Sequence, residues 1–266
     1  MSVIQRNVTR TVLNATETTS YTKSPSADEL TFELDVADNF YIGYKNRFAS
    51  RYFHFSTLNA TARTITVQYW DGTAWDAVED FVDQTAGFTK SGFLSWVNVS
   101  GWNSYALTPI DDKDLYWIKI TVNGALDAGT KLQSVLNLFC DENMARVYYP
   151  EMISDTRYLP PGRTDYLEQL EAATNLVALR LKQHHIIEDI SQVIDINEVA
   201  ISAVHAFAYV LLNPIAKDES EKESRDEAEI NMNKELNRVK LDLDWDKSGV
   251  IETNEQNTGN IFIARS

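Results

Sequence analysis

The sequence predicts an α+β protein with two unlike halves: an antiparallel β-sandwich of jelly-roll type, followed by an α-helical bundle. Three observations carry this expectation. Between Leu30 and about Asp141, apolar and polar residues alternate in short runs broken by Gly- and Asp-containing turns, the two-residue period of half-buried strands. After Pro160-Pro161-Gly162 the apolar residues recur at helical spacing instead. A chain of 266 residues also exceeds one ordinary globular core, so two domains are expected.

Residues 1–27 are polar and rich in Thr, Ser and Asn, without the apolar stretch of a secretory signal peptide, and read as an arm or linker. The β domain is placed at 28–145. Its first part, "FYIGYKNRFASRYFHFSTL", holds at least one pair of strands. "ARTITVQYWDGTAWDAVEDFV" carries two runs around Asp71-Gly72, a dipeptide that tolerates the positive φ of tight hairpins. Ile65, Val67 and Tyr69 alternate with Thr64, Thr66 and Gln68, predicting one apolar face. "DLYWIKITV" repeats the device with Leu115, Trp117, Ile118 and Ile120. Further turns are expected at Gly87, Ser91-Gly92, Asn123-Gly124 and Ala128-Gly129. No strand here is followed by a long amphipathic helix, so a parallel nucleotide-binding sheet is not expected.

A linker is placed at 146–163 and a helical domain at 164–255. Its first helix aligns Leu167, Leu170, Thr174, Val177 and Leu181 on one face, with Asp165 and Glu168 spaced to satisfy its first free amides. Asp195 and Glu198 repeat that arrangement before a helix burying Val199, Ala203, Phe207 and Val210, which Asn213-Pro214 ends. A third helix is expected from about Asp218 to Leu243. It is highly charged, with a narrow stripe of Ile230, Met232, Leu236, Val239 and Leu243 and with acids at its start and bases at its end. Such a helix packs against a small hairpin or a neighbouring subunit. Residues 256–266 form a C-terminal tail.

The formal charge of −15 and pI near 4.7 argue against a surface that gathers phosphates, since nucleic-acid affinity rests on Lys and Arg displacing counterions. Such a charge suits a wall past which DNA slides. No window is apolar enough to span a bilayer, and the chain is expected to be soluble. Cys140 is the single cysteine, so no intramolecular disulfide exists. The Asn-X-Ser/Thr triplets at Asn7, Asn14, Asn59 and Asn98 carry little meaning without a signal peptide.

The sharpest local signal is "DWDKSGVIETNE". It places Asp244, Asp246, Ser248, the Val250 carbonyl, Glu252 and Glu255 at the ligand positions of a twelve-residue EF-hand loop, with Gly249 at its sharp turn. A hard divalent cation wants several oxygens aimed at one point, which alternate residues of a tight loop supply. Two readings stand side by side: a structural calcium ion tying the third helix to the tail, and a metal-free acidic turn. The following "QNTGNIFIARS" is too short and too β-like for a second EF-hand helix.

Nothing supports an enzyme: no catalytic residue is assigned. Cys140 ends a strand-like run and reads as a structural thiol. His184, His185 and Glu188 lack a third ligand and read as a solvated helix face, while His54 and His205 read as core residues. The P-loop and GxGxxG patterns are missing. Trp70, Trp75, Trp96, Trp102 and Trp117 all fall in the β half, where cross-strand packing or a sugar-stacking platform would account for them.

"YLPPGRTDYLEQLEAATNLVALRLKQ", "IDINEVAISAVHAFAYVLLNP" and the charged helix ending in "NRVKLDLDWDKSG" together resemble the head-to-tail connector, or adaptor, proteins of tailed bacteriophages. The likeness covers about residues 155–255. The cadence of "VQYWDGTAWDAV", "GFLSW" and "LYWIKI" resembles the strand-rich modules that decorate phage neck, baseplate and tail proteins. The family's adaptors are shorter and lack such a module. The resemblance implies a virion protein of the neck, made in the host cytoplasm and repeated as a dodecameric ring. Its partners would be the portal protein, to which the tail docks, and a tail terminator or other neck protein. DNA would pass through without specific binding, and no membrane is involved. Ile261, Phe262 and Ile263 are the tail residues expected to meet a partner's sheet edge or groove. The alternative is a carbohydrate- or receptor-binding module of a phage tail or baseplate.

Overall fold

The computed structural model describes residues 10–13, 20–21, 30–32, 34–97, 101–106, 114–159, 162–188, 190–193, 195–238, 240–241 and 259–260. The chain divides into two compact units, Met1–Asn137 and Leu138–Ser266. Strands occupy the first and helices dominate the second, an α+β arrangement.

The strands of the first unit are β1 (Arg10–Leu13), β2 (Ser20–Tyr21), β3 (Leu30–Thr31), β4 (Phe40–Tyr44), β5 (Ser50–Thr57), β6 (Ile65–Trp70), β7 (Trp75–Ala77), β8 (Val82–Asp83), β9 (Gly92–Ser95), β10 (Ser104–Ala106), β11 (Asp114–Val122) and β12 (Lys131–Leu136). Among the described residues they form a seven-stranded sheet, ordered β2-β1-β4-β11-β6-β7 with β10 also on β11, and a five-stranded sheet, β3-β12-β5-β9-β8. Among the described residues, every strand pairing within these sheets is antiparallel. The N-terminal segment, expected to be an arm or linker, differs here. Residues 1–27 read as lying outside the sheet, yet β1 pairs with β4 from Arg10 opposite Gly43 to Leu13 opposite Phe40. Joining a sheet edge needs only backbone N–H and C=O groups, so four residues without a clear alternation suffice.

The alternation of the long strands builds the core. Phe40 and Ile42 of β4, Phe53 and Phe55 of β5, Ile65 and Val67 of β6, and Ile118 and Ile120 of β11 all join one cluster shared by both sheets. Aromatic rings fill it: Phe32 meets Phe40 edge-on at 4.9 Å and Phe88 at 5.4 Å. Trp96 and Trp102 are buried in this cluster, and each indole N–H donates to a backbone carbonyl, of Phe48 and Trp117 respectively, at 3.0 Å. Such pairing offsets the cost of burying a polar group. The β6–β7 turn holds Gly72 at φ +104°, a conformation that a side chain resists. Asp71 closes the same turn, its Oδ1 accepting from Thr73 N and Ala74 N, both at 2.6 Å.

The second unit contains α1 (Glu142–Tyr148), α2 (Pro150–Ser154), a 3-10 turn (Thr156–Tyr158), α3 (Leu167–Gln183), a second 3-10 turn (Ile190–Gln192), α4 (Asn197–Leu212) and α5 (Glu219–Leu236), then β13 (Lys240–Leu241) and β14 (Gly259–Asn260). Sequence reading ended the β domain at 145 and ran a linker through 163. The division instead falls after Asn137, and short helices fill the expected linker. Asp141 starts α1 by accepting from Met144 N at 2.8 Å, and Pro150 opens α2, where its missing N–H costs nothing.

α4 is the centre of this unit, packed by α3, α5 and α1. Val199, Ala203 and Phe207 are buried on it as the pattern predicts, whereas Val210 is half-buried. Asp165 and Asp195 each accept from the amide two residues on, Leu167 at 3.1 Å and Asn197 at 2.9 Å. These are local Asx-type turns at the starts of α3 and α4. Asp218 caps α5 by accepting from Glu221 N at 2.8 Å. α5 ends at Leu236, short of the expected Leu243, because the chain turns through Asn237 and Arg238 into β13. Its buried residues are Ala228, Met232 and Leu236. Ile230, assigned to that stripe from sequence, is 57% exposed; two residues from Met232, it lies about 160° round the helix from that stripe's centre. Val239 and Leu243 lie outside the residues whose side chains are described.

Candidate functional site

The six calcium-loop positions, Asp244, Asp246, Ser248, Val250, Glu252 and Glu255, lie outside the described residues, as do Ile261, Phe262 and Ile263 of the tail. What is described is how the segment is bracketed. β13 and β14 pair antiparallel, Lys240 with Asn260 and Leu241 with Gly259. The chain ends flanking the acidic loop are therefore joined by backbone pairing rather than by a second helix.

The other chemically suggestive residues are mostly structural. Cys140 is fully buried, and burial, helped by the adjacent Asp141 carboxylate, pushes its thiol far above the ordinary range. A thiol so held is a poor nucleophile. His184 closes α3 and His185 follows at φ +56°. Among the described residues, no group of three or more His, Cys, Asp or Glu side chains is arranged to hold a metal ion. His54 is buried on β5.

Two surfaces remain. The first is the side of the seven-stranded sheet facing away from the shared core. Trp117 and Tyr41 are buried there, with Trp75, Tyr105 and Leu115 packed over them. β11 reverses its apolar content along its length: Ile118 and Ile120 enter the core, whereas Leu115 and Trp117 face the other way. Trp70 and Trp75 sit opposite each other across the hairpin, rings 5.6 Å apart. Trp70 stacks on Tyr105 at 4.6 Å, and Tyr41 meets Trp75 at 5.5 Å. Lys119 Nζ lies 5.2 Å from the Trp75 ring, and burial lowers its pKa from the usual lysine value. The result is a half-buried aromatic face with one cation beside it.

Of the five tryptophans picked out from sequence, only Trp70 and Trp75 contribute partly exposed rings to this face; Trp96 and Trp102 are core, and Trp117 lies beneath. Tyr41, Tyr105 and Lys119 went unnoticed. Their signal is register: Tyr41 pairs with Lys119, and Tyr105 with Leu115, and residues opposite one another share a face.

The second surface is on the helical unit. The Tyr149 hydroxyl hydrogen-bonds His205 Nδ1 at 2.7 Å, and the Tyr148 ring meets the same imidazole at 5.8 Å. Ile201 sits one helical turn before His205 on α4. Val147, Tyr148 and Ile201 are 77%, 47% and 41% exposed, so both helices that meet at His205 carry exposed apolar side chains. Desolvation lowers the His205 pKa against the opposing pull of Glu235 and Glu227. Burial raises Tyr149 to about 12.

Among the described residues, no helix is long and apolar enough to cross a membrane. Comparison with known protein families finds no matching family, and comparison with curated proteins finds no relative.

Proposed function

We propose that the chain is a structural virion protein: a head-to-tail adaptor that forms a ring between the portal and the tail or neck of a tailed phage and lines the DNA conduit. In this reading the two-sheet unit is a β-sandwich of jelly-roll type and the helical unit a connector-like bundle. The observation that carries the proposal is that α1 and α4, which meet where Tyr148 packs on His205, both expose apolar side chains, Val147 and Tyr148 on one and Ile201 on the other. Exposed apolar side chains on two packed helices suit a contact with another protein, and in a ring that contact is the next copy. The polar outer side of α5 fits the same reading, as does a net charge of −15, which keeps DNA from adhering to the conduit. The acidic loop at Asp244–Glu255 joins the proposal on its sequence pattern: calcium there would stiffen the β13–β14 bracket and set the direction of a tail that docks on the portal.

Electron microscopy and sedimentation of the purified full chain, with and without a portal ring as template, test this. Discrete rings, lost in the Ile201→Glu variant while its circular dichroism is kept, are the expected result. A chain that stays monomeric under both conditions would overturn it.

The half-exposed Trp70, Trp75 and Tyr105 favour a second reading, a carbohydrate- or receptor-binding module of a tail or baseplate, because flat aromatic faces stack on sugar rings. Glycan-array binding by the full chain, abolished in Trp75→Ala, would support that reading over the first.

A further inference from the structure

We propose that Arg51 anchors a buried anion site inside the two-sheet unit, in which the Nε/Nη2 edge of its guanidinium holds a small anion of the chloride, nitrate or formate class. Arg51 lies on β5 opposite Leu94, in the same core-facing row as Phe53 and Phe55, and is only 2% exposed. Two aromatic rings lie against it: the guanidinium carbon is 3.8 Å from the Phe48 centroid and 4.8 Å from that of Tyr44, and those rings are nearly perpendicular to each other. One nitrogen is used, since Nη1 donates to the Ser50 carbonyl at 2.7 Å. Nε and Nη2 are both buried and make no hydrogen bond among the described residues.

The pattern of used and unused donors is informative. Nε and Nη2 share one edge of the planar guanidinium, and their parallel N–H bonds form the fork that grips an anion bidentately. The edge whose two donors are unused is thus the anion-binding edge. No carboxylate among the described residues pairs with Arg51. Loss of the proton is no escape, because burial lowers its pKa only to about 10, with Tyr44 acting in the opposite direction. The side chain therefore stays cationic at neutral pH. A second buried arginine, Arg47, lies over the Tyr116 ring at 5.4 Å. A buried charge without a counter-charge is costly. A water molecule would satisfy the two N–H groups but leave the charge, whereas a small anion does both.

Thermal unfolding of the full chain in chloride, bromide, nitrate or formate, against gluconate at matched ionic strength, tests the site. The expected result is a saturable rise of a few degrees with the small anions, absent in Arg51→Met and reduced in Arg51→Lys. A larger response to formate than to chloride would identify a carboxylate as the natural occupant; the reverse would identify an inorganic ion. Crystals grown in bromide should show an anomalous peak at the fork, a readout that holds even if Arg51→Met fails to fold. An anion response that persists unchanged in Arg51→Met, or a water at the fork with no bromide peak, would overturn the proposal.

Discussion

The six-membered ring of Trp117 lies over Gly43, its cross-strand partner, so closely that a Cβ on Gly43 would stand 2.6 Å from the ring carbons. β4 approaches β11 here without a side chain, and the indole occupies the space, its Nε1 donating to the Tyr105 carbonyl at 2.8 Å. Gly43→Ala should therefore displace Trp117 and disturb the aromatic face above it. Overpacking of this kind costs about 1–3 kcal/mol, readable as a lower urea midpoint with an unchanged slope. A variant as stable as the wild type would show that Trp117 has room to move.

Asp71 organises the turn that carries Trp75 to that face. Its carboxylate accepts from Ala74 N, Thr73 N and the Thr73 hydroxyl, and these bonds, led by the one from Ala74, lower its pKa below the ordinary aspartate value. Since the folded-state pKa is depressed, the stabilisation is present above the unfolded value and is lost as pH falls through the folded one. Asp71→Ala should loosen the β6–β7 hairpin at neutral pH, seen as faster amide exchange at Thr73 and Ala74. It should also remove the share of acid sensitivity that this hairpin shows in the wild type.

How far such features can be read from sequence depends on element length. α4 and β6 declare themselves because Val199, Ala203 and Phe207, or Ile65, Val67 and Tyr69, repeat often enough to fix a period. α1 and α2 do not, since seven and five residues hold too few apolar positions; Asp141 and Pro150 were their only signals. β1 contributes backbone pairing, which leaves no trace in side-chain pattern. The aromatic face was half legible: Trp70 and Trp75 follow from one hairpin, but Tyr41 and Lys119 join them only through the β4–β11 register, a long-range pairing. Arg51 is opaque to pattern altogether, because a charge within a strand reads as a solvent-facing position until its burial is known.

His205 makes the helical unit pH-sensitive. Desolvation holds its folded-state pKa below the unfolded value of 6.5, so between those two values the unfolded chain binds the proton more readily. Stability should fall as pH drops through that window, with the full loss reached below the lowered value. Melting of the wild type and of His205→Gln between about pH 8 and about pH 5 checks this. The wild-type curve should slope downward on acidification, and the variant's should be flatter. Equal slopes would assign the sensitivity to carboxylates.

Met232 and Ile230 lie two residues apart on α5 and should behave in opposite ways. Met232 is fully buried, and its truncation to alanine leaves a cavity costing about 2–5 kcal/mol. Ile230 is 57% exposed, so Ile230→Lys should shift monomer stability by no more than about 0.5 kcal/mol. If α5 packs against a neighbouring copy, that same lysine should weaken assembly measured by sedimentation, whereas Met232→Ala should lower the melting temperature first. Destabilisation of the isolated chain by Ile230→Lys would instead place that face within the unit.

The paired strands β13 and β14 separate two roles that calcium would otherwise share. If the Lys240–Asn260 and Leu241–Gly259 pairing alone holds the chain together around the acidic loop, replacing Asp246 and Glu255 with alanine should leave amide protection at Leu241 and Asn260 unchanged. If a cation bound by those carboxylates stiffens the loop, wild-type protection there should rise with added calcium and fall with chelator, and the double variant should ignore both. Magnesium separates a specific site from general screening, since a calcium loop with a two-oxygen glutamate ligand prefers the larger ion, which accepts more oxygens and less regular geometry. Calcium titration by calorimetry, run beside exchange at those two amides, distinguishes the outcomes. Heat of binding that vanishes in the double variant, together with loss of calcium-dependent protection, is expected of the metal-bound loop. No heat in the wild type, with protection insensitive to chelator, would leave an acidic turn held shut by its strands alone.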